Sequence, residues 1–280
     1  PPSTAIDETP DSVAAALARG GGILARVDGR PAGVILVQPE NDRVVSLHRV
    51  SVHPDFQRHG VASTMVTAAA DYAAELGYTE VELFAREELG ELVTFWQHRG
   101  FRVTRPAPHG VMLSAALPVA VTVPTAADMQ RLGERLATLL APGDLVIATG
   151  DLGAGKTTLT QGIGRGLGAT GTVISPTFVL SRVHRAAVGR PDLVHVDAYR
   201  LSSATELEDL DLDAHVPTAV TVVEWGEGLA PHRLEVDIRR SAYPDPAVAE
   251  GDARTVLIRG VGDRWRAADL ARLRDGQGRG

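Results

Sequence analysis

The segment that most constrains this chain is Gly150-Asp151-Leu152-Gly153-Ala154-Gly155-Lys156-Thr157, which satisfies the pattern G-x-x-x-x-G-K-[ST] at every fixed position. It follows the apolar run Leu145–Thr149 and precedes a helical pattern reaching about Leu167. That is the strand, loop and helix order in which the pattern has a physical meaning. Glycines let successive backbone N–H groups turn inward around an anion, and the helix start adds partial positive charge. Lys156 then offers a compact point charge for terminal phosphates, which a planar guanidinium fits less well. Composition sharpens the point: of the 28 basic residues, 27 are arginine and the remaining one is Lys156.

A phosphate cradle of this kind works with a divalent cation, held by the hydroxyl after the lysine and by an acid at the end of a neighbouring strand. Two acids qualify. Asp197 ends Leu193-Val194-His195-Val196, and Glu224 ends Val220-Thr221-Val222-Val223. Both runs are β-branched and polar-free apart from His195 and Thr221, as suits strands buried on both faces of a parallel sheet. Ligands of open parallel sheets gather at the strands' carboxyl ends, so three strands deliver the loop, Asp197 and Glu224 to one edge. A helix over Ala126–Leu140 precedes this set, and strands at Leu234–Ile238 and Thr255–Ile258 follow it.

At 280 residues the chain has room for about two domains. In the first half, strands Gly22–Val27 and Gly33–Val37 flank the hairpin signal Asp28-Gly29-Arg30-Pro31. A strand at Val44–Val52, a helix at Val61–Leu76 closed by Gly77, a strand at Val81–Ala85 and a helix at Leu89–His98 closed by Gly100 come next. Strands at Phe101–Val103 and Val111–Leu113 complete the block, and Ala115–Pro124, with two prolines, reads as the junction. The expected division is 1–118, 119–262, and a C-terminal helix and tail over 263–280. After Val52, the loop Gln57-Arg58-His59-Gly60-Val61-Ala62 lies at a strand-to-helix junction, where backbone N–H groups can bind a pyrophosphate.

The second half resembles the TsaE family of bacterial ATPases. The resemblance is carried by the phosphate loop with Thr158, by Ser175-Pro176-Thr177-Phe178, by His195-Val196-Asp197-Ala198-Tyr199-Arg200-Leu201 and by Glu224-Trp225-Gly226-Glu227. It implies ATP hydrolysis with Mg²⁺ in support of threonylcarbamoyladenosine formation in tRNA, with TsaB and TsaD proteins as partners and tRNA contacted only indirectly. It further implies that Asp151, Leu152, Gly153, Ala154, Gly155, Lys156, Thr157 and Thr158 hold ATP, with Arg254 nearby. Thr157 and Glu224 would hold Mg²⁺, Asp197 would act through the metal or its water, Thr177 would sense the γ-phosphate and Trp225 would be an aromatic at the active edge. The acidic stretch Glu206 to Asp213 fits the family's helix after the Asp197 strand.

The first half is similar to the GCN5-related N-acetyltransferases (GNAT) in its Gln57–Ala62 loop and in Phe95-Trp96-Gln97-His98-Arg99-Gly100-Phe101. The expected fold class is therefore α/β throughout: a GNAT-like mixed sheet with flanking helices, then a P-loop NTPase α/β sheet. The resemblance implies acetyl-CoA binding through Val52, Gln57, Arg58, His59, Gly60, Val61 and Ala62. Trp96 stands where the family often has a tyrosine acid, and indole cannot deliver a proton to a thiolate, so acetyl transfer itself stays open. Glu82, His48 and His53 are candidate bases or ordinary sheet and turn residues.

Composition excludes several classes. With 44% hydrophobic and 22% charged residues the chain can bury real cores, unlike a disordered polymer. The absence of cysteine rules out disulfides and thiolate-bound metals and fits a cytoplasmic setting. No apolar run approaches the ~18 residues of a membrane span. Residues 1–118 carry 10 basic and 14 acidic groups and the remainder 18 and 21, which reproduces the net −7. Neither half shows the basic excess of a protein that grips RNA by its phosphates. Other readings are a P-loop small-molecule kinase with Arg182, Arg185 and Arg190 as a lid, an acetyltransferase with a regulatory nucleotide-binding domain, or a non-catalytic interaction protein.

Overall fold

At the first hairpin Asp28 and Gly29 take φ values of 49° and 76°, the left-handed pair that a two-residue connection between twisted strands requires. β1 (Gly22–Val27) thereby pairs antiparallel with β2 (Arg30–Pro39). The computed structural model describes residues 8–86, 88, 90–176, 180–198, 217–225, 232–240, 253–266 and 268–274. It divides into two compact units, Pro1–Pro118 and Val119–Gly280.

The first unit is a six-stranded mixed sheet in the order β1-β2-β3-β4-β6-β5, with β3 (Val44–Val52), β4 (Glu80–Arg86), β5 (Arg102–Ala107) and β6 (Gly110–Ala116). α1 (Pro10–Gly20) packs on β2, while α2 (Val61–Glu75) packs on β1, β2 and β3. α3 (Gly90–Gln97) contacts β4. The parallel β3–β4 ladder runs only from Val44–Glu80 to Leu47–Leu83, so β3 continues to Val52 beyond its last pairing with β4. Ile35, Val37, Val45 and Leu47 are buried from the sheet, and Met65, Val66, Ala69 and Ala73 from α2.

The second unit is a seven-stranded sheet in the order β7-β13-β12-β8-β11-β10-β9. Its centre is β8 (Leu145–Thr149), β10 (Leu193–Asp197) and β11 (Val220–Glu224), all parallel, with every residue of β10 and β11 buried. β12 (Arg233–Arg240) is parallel to β8, and β13 (Arg254–Val261) returns antiparallel. β7 (Val119–Val123) and β9 (Ser181–His184) form the edges. α4 (Ala126–Ala137) lies on α5 (Lys156–Leu167) at backbone contact: a Cβ on Gly162 would stand 2.1 Å from the Gln130 carbonyl oxygen, and one on Gly133 2.4 Å from that of Leu159.

Four segments depart from the sequence reading. Ala115–Pro124 is not an open junction: β6 runs to Ala116, and the Val119-Ala120-Val121-Thr122-Val123 alternation makes β7, with Pro118 and Pro124 bracketing it. α1 had no apolar stripe strong enough to announce it. Thr9 caps it, its hydroxyl accepting from the Ser12 N–H while the Ser12 hydroxyl accepts from the Thr9 N–H. β9 is four residues long with an arginine inside, too short and polar to read as a strand. α4 stops at Ala137, three residues early, ahead of Pro142. Beyond β13, α6 (Asp263–Arg266) and a 3₁₀ turn at Leu270–Leu273 bury Trp265 and Leu273 in the second unit's core. The expected helix over Glu206 to Asp213 lies outside the described residues.

Candidate functional site

β8 enters its loop at Gly150, whose φ of 137° and whose position 2.3 Å, as a notional Cβ, from the Ile238 carbonyl oxygen admit no side chain. Gly153 and Gly155 are also left-handed, at 76° and 113°. The turn delivers the chain into α5, whose N-terminus has no side-chain cap, so its first N–H groups remain for a ligand. Lys156, 5% exposed, folds back over this loop: Nζ donates to the carbonyls of Gly150 (2.8 Å) and Asp151 (3.0 Å) and lies 3.8 Å from the Trp225 ring centroid. Trp225 holds that place with φ 69° and an N–H donated to the Ala148 carbonyl at 3.1 Å. Burial pushes the Lys156 ammonium below its ordinary pKa, and the nearby charges of Glu224, Asp197 and Asp151 oppose that shift.

The acids arrive as strand-end residues. Asp197 and Glu224 are direct partners in the β10–β11 register, and Glu224 pairs with Ala148 of β8. The Thr157 hydroxyl, in the first turn of α5, donates to Glu224 Oε1 at 2.9 Å, and His195 Nε2 lies 2.8 Å from the same oxygen. Glu224 is 4% exposed and His195 fully buried. A hydroxyl and a carboxylate in contact beside a left-handed glycine loop suit a small oxygen-seeking cation that also takes phosphate oxygens, so these residues fit Mg²⁺ with a nucleotide.

In the first unit β3 ends at Val52 and a 3₁₀ turn, Pro54–Phe56, leads to Arg58 and Gly60, both left-handed at 64° and 80°. α2 starts at Val61 with no side-chain cap, Gln57 to Gly60 are exposed, and Val61 and Ala62 are partly so. Gln57 Nε2 donates to the Val52 carbonyl at 3.3 Å, and His59 Nδ1 lies 2.8 Å from the Gln57 carbonyl. The result is an exposed backbone crown at a helix start, beside the point where β3 outruns β4.

Two family models match the chain: threonylcarbamoyl adenosine biosynthesis protein TsaE over residues 123–245 and the acetyltransferase (GNAT) family over residues 3–101. The tRNA threonylcarbamoyladenosine biosynthesis protein TsaE of Streptomyces coelicolor is 53% identical over 150 residues, covering 52% of this chain and 99% of that protein. The chain belongs to the TsaE family. Its TsaE domain follows a GNAT domain. The proteins of the same name from Mycobacterium tuberculosis and Bacillus subtilis are 46% identical over 139 residues and 36% identical over 143, covering 46% and 49% of this chain and 83% of each of theirs.

Within the TsaE domain the structure brings Lys156, Thr157, Asp197 and Glu224 to one sheet edge, with Gly153, Ala154 and Gly155 in the loop between. Asp151 contributes its carbonyl to Lys156, Leu152 is 90% exposed on the loop's crest, and Thr158 follows in α5. Arg254 starts β13, two strands from β8 in the sheet. Thr177 lies outside the described residues. Two of the arginines considered as a kinase lid are engaged away from the loop, Arg185 with Asp192 and Arg190 with the Gly166 carbonyl near the opposite end of α5, while Arg182 lies in β9 opposite His195. The contact of His195 with Glu224 escaped sequence reasoning, although a lone histidine in an otherwise β-branched strand was the available signal.

In the GNAT domain Trp96 is buried edge-on against Phe95 and Phe101, at 5.1 and 5.2 Å between ring centroids, as a core residue. Glu82 pairs with Arg105 at 3.2 Å, and His53 Nδ1 accepts the Asp55 N–H at 3.3 Å. His48 lies just past the end of the β3–β4 ladder, its Nε2 2.6 Å from the Ser46 hydroxyl, which also bonds Glu40. Among the described residues no helix is long and apolar enough to cross a membrane.

Proposed function

We propose that the chain is a cytoplasmic, ATP-hydrolysing subunit required for threonylcarbamoyladenosine modification of tRNA, acting with TsaB and TsaD proteins and reaching tRNA only through them. The observation that supports this best is the Thr157 hydroxyl on Glu224 at 2.9 Å, beside a left-handed glycine loop and the chain's single lysine. The relatives' names, which give threonylcarbamoyladenosine biosynthesis, support the pathway. The net charge of −7 supports an indirect role towards RNA.

Phosphoryl transfer is mostly positioning and charge neutralisation. The backbone N–H groups of Gly153 to Thr158 bind the phosphates, and Lys156 exchanges its two loop carbonyls for phosphate oxygens. Thr157 and Glu224 would hold Mg²⁺, which would supply positive charge against the phosphate oxygens. Asp197 orients the attacking water, and Thr177 reports the terminal phosphate. Arg254 and the exposed Leu152 complete the nucleotide's surroundings. In the GNAT domain, Val52 and Gln57 to Ala62 bind the pyrophosphate of acetyl-CoA.

Release of phosphate from labelled ATP tests the reading. Slow, Mg²⁺-dependent turnover by the chain alone and a clear rise on adding TsaB and TsaD are expected. Turnover of many per second without partners, or transfer of the phosphate to a small acceptor, contradicts it. Calorimetric titration with acetyl-CoA tests the GNAT half separately.

A further inference from the structure

On the α5 side of the second sheet, Leu193, Val220 and Val222 belong to the same apolar core as Leu159 and Ile163 of α5. His195 is two residues from Leu193 in β10 and therefore points to that face. A fully buried imidazole in this row displaces an aliphatic side chain that would pack there without any polar cost. Its two nitrogens are treated unequally. Nε2 faces Glu224 Oε1 at 2.8 Å, while Nδ1 is buried with no hydrogen-bond partner among the described residues. Facing a carboxylate oxygen, Nε2 carries the proton and donates, which leaves Nδ1 as the lone-pair nitrogen. Glu224 Oε1 thus receives two donors, the Thr157 hydroxyl and His195 Nε2–H.

Those donors decide where the carboxylate points. Lys156 is close enough for its ammonium and the Glu224 charge to influence each other, and a direct ion pair would quench both groups. Instead Lys156 binds the carbonyls of Gly150 and Asp151, and Glu224 Oε1 is held by Thr157 and His195. Thr157 binds from α5, where its oxygen can serve a cation while its O–H still donates. His195 holds the same carboxylate oxygen from a fully buried position in the sheet, so the carboxylate stays anchored from the core side whatever binds at the loop.

We propose that His195 is the positioning residue of this site, fixing the Glu224 carboxylate in its cation-binding orientation before and after the nucleotide arrives. The inference rests on the nucleotide reading above and adds a residue to it. Partners that hydrogen-bond a metal ligand typically alter metal affinity by about 10–100-fold when removed.

The test is calorimetric titration of the full chain with ADP, in EDTA and in Mg²⁺, for the native protein, His195→Gln, His195→Asn and His195→Leu. A glutamine amide reaches as far as Nε2 and can donate to Glu224; the shorter asparagine cannot. In EDTA all four proteins are expected to bind ADP within about twofold of one another, while in Mg²⁺ the leucine and asparagine variants lose about 10-fold or more and glutamine stays within about threefold of native. The glutamine–asparagine comparison stands by itself if the leucine variant fails to fold. Native-like Mg²⁺ strengthening in asparagine or leucine overturns the proposal. Equal losses in EDTA and Mg²⁺ overturn it as well, because they mark a role in the fold alone. A native chain whose ADP binding is indifferent to Mg²⁺ overturns the nucleotide reading itself.

Discussion

Lys156 sits between two carbonyl oxygens and an indole face, a cage sized for an ammonium group. Arginine at this position keeps the charge but brings a planar fork that matches neither the paired carbonyls nor a single bridging phosphate oxygen. Lys156→Arg is expected to keep its circular dichroism and melting temperature while Mg²⁺-dependent ATP hydrolysis falls by about 100-fold or more; native-like turnover would make the lone lysine an accident. His184 belongs to the same scale. Burial, then the neighbouring His195 and Arg182, hold its pKa below the ordinary 6.5. The folded state therefore disfavours the proton that the unfolded chain accepts. Stability is unaffected above about pH 6.5 and declines as pH falls below it. Denaturant midpoints of the TsaE domain measured from pH 7.5 to 5 should show that decline, and His184→Leu should flatten it. The loop residues were legible in the sequence because glycine and lysine at fixed spacing encode local backbone geometry. The His195–Glu224 contact was not, because it depends on β10 and β11 being neighbours although 22 residues lie between them.

α4 and α5 approach so closely that their glycines are structural requirements. Gly162→Ala gains about 1 kcal/mol of helix propensity, yet its Cβ meets the Gln130 backbone oxygen at 2.1 Å, and a backbone cannot swing aside as a side chain would. The clash should win, costing about 1–3 kcal/mol of TsaE-domain stability, read as a lower melting temperature. Gly60 is open to solvent but left-handed at 80°. A β-branched residue is strained in that conformation, so Gly60→Val should abolish acetyl-CoA binding in a titration while the rest of the GNAT domain keeps its fold. Central strands were readable from their β-branched runs. The edges β7 and β9 were not, since a five-residue strand between prolines and a four-residue strand containing arginine look like connections until a neighbour pairs with them.

Among the described residues no strand is shared between the two sheets, and each unit has its own buried apolar residues. Fragments cut between Pro118 and Val119 should each be folded by circular dichroism and each melt cooperatively; a fragment that stays unfolded would refute their autonomy. The TsaE domain depends on its far end. Arg264 donates twice to Asp144, at 3.1 and 2.9 Å, and once to the Leu139 carbonyl at 2.7 Å, while Trp265 and Leu273 fill the core. Among the described residues β7, the first strand of this domain, pairs with β13, the last. During synthesis at about 5–20 residues per second, Val119 therefore waits about 8–30 s for Leu273 to be added. The GNAT domain can close while the TsaE domain is still being translated, whereas the TsaE domain must hold an unsealed apolar face until Leu273 has been added, and in that interval it is a natural client for chaperones.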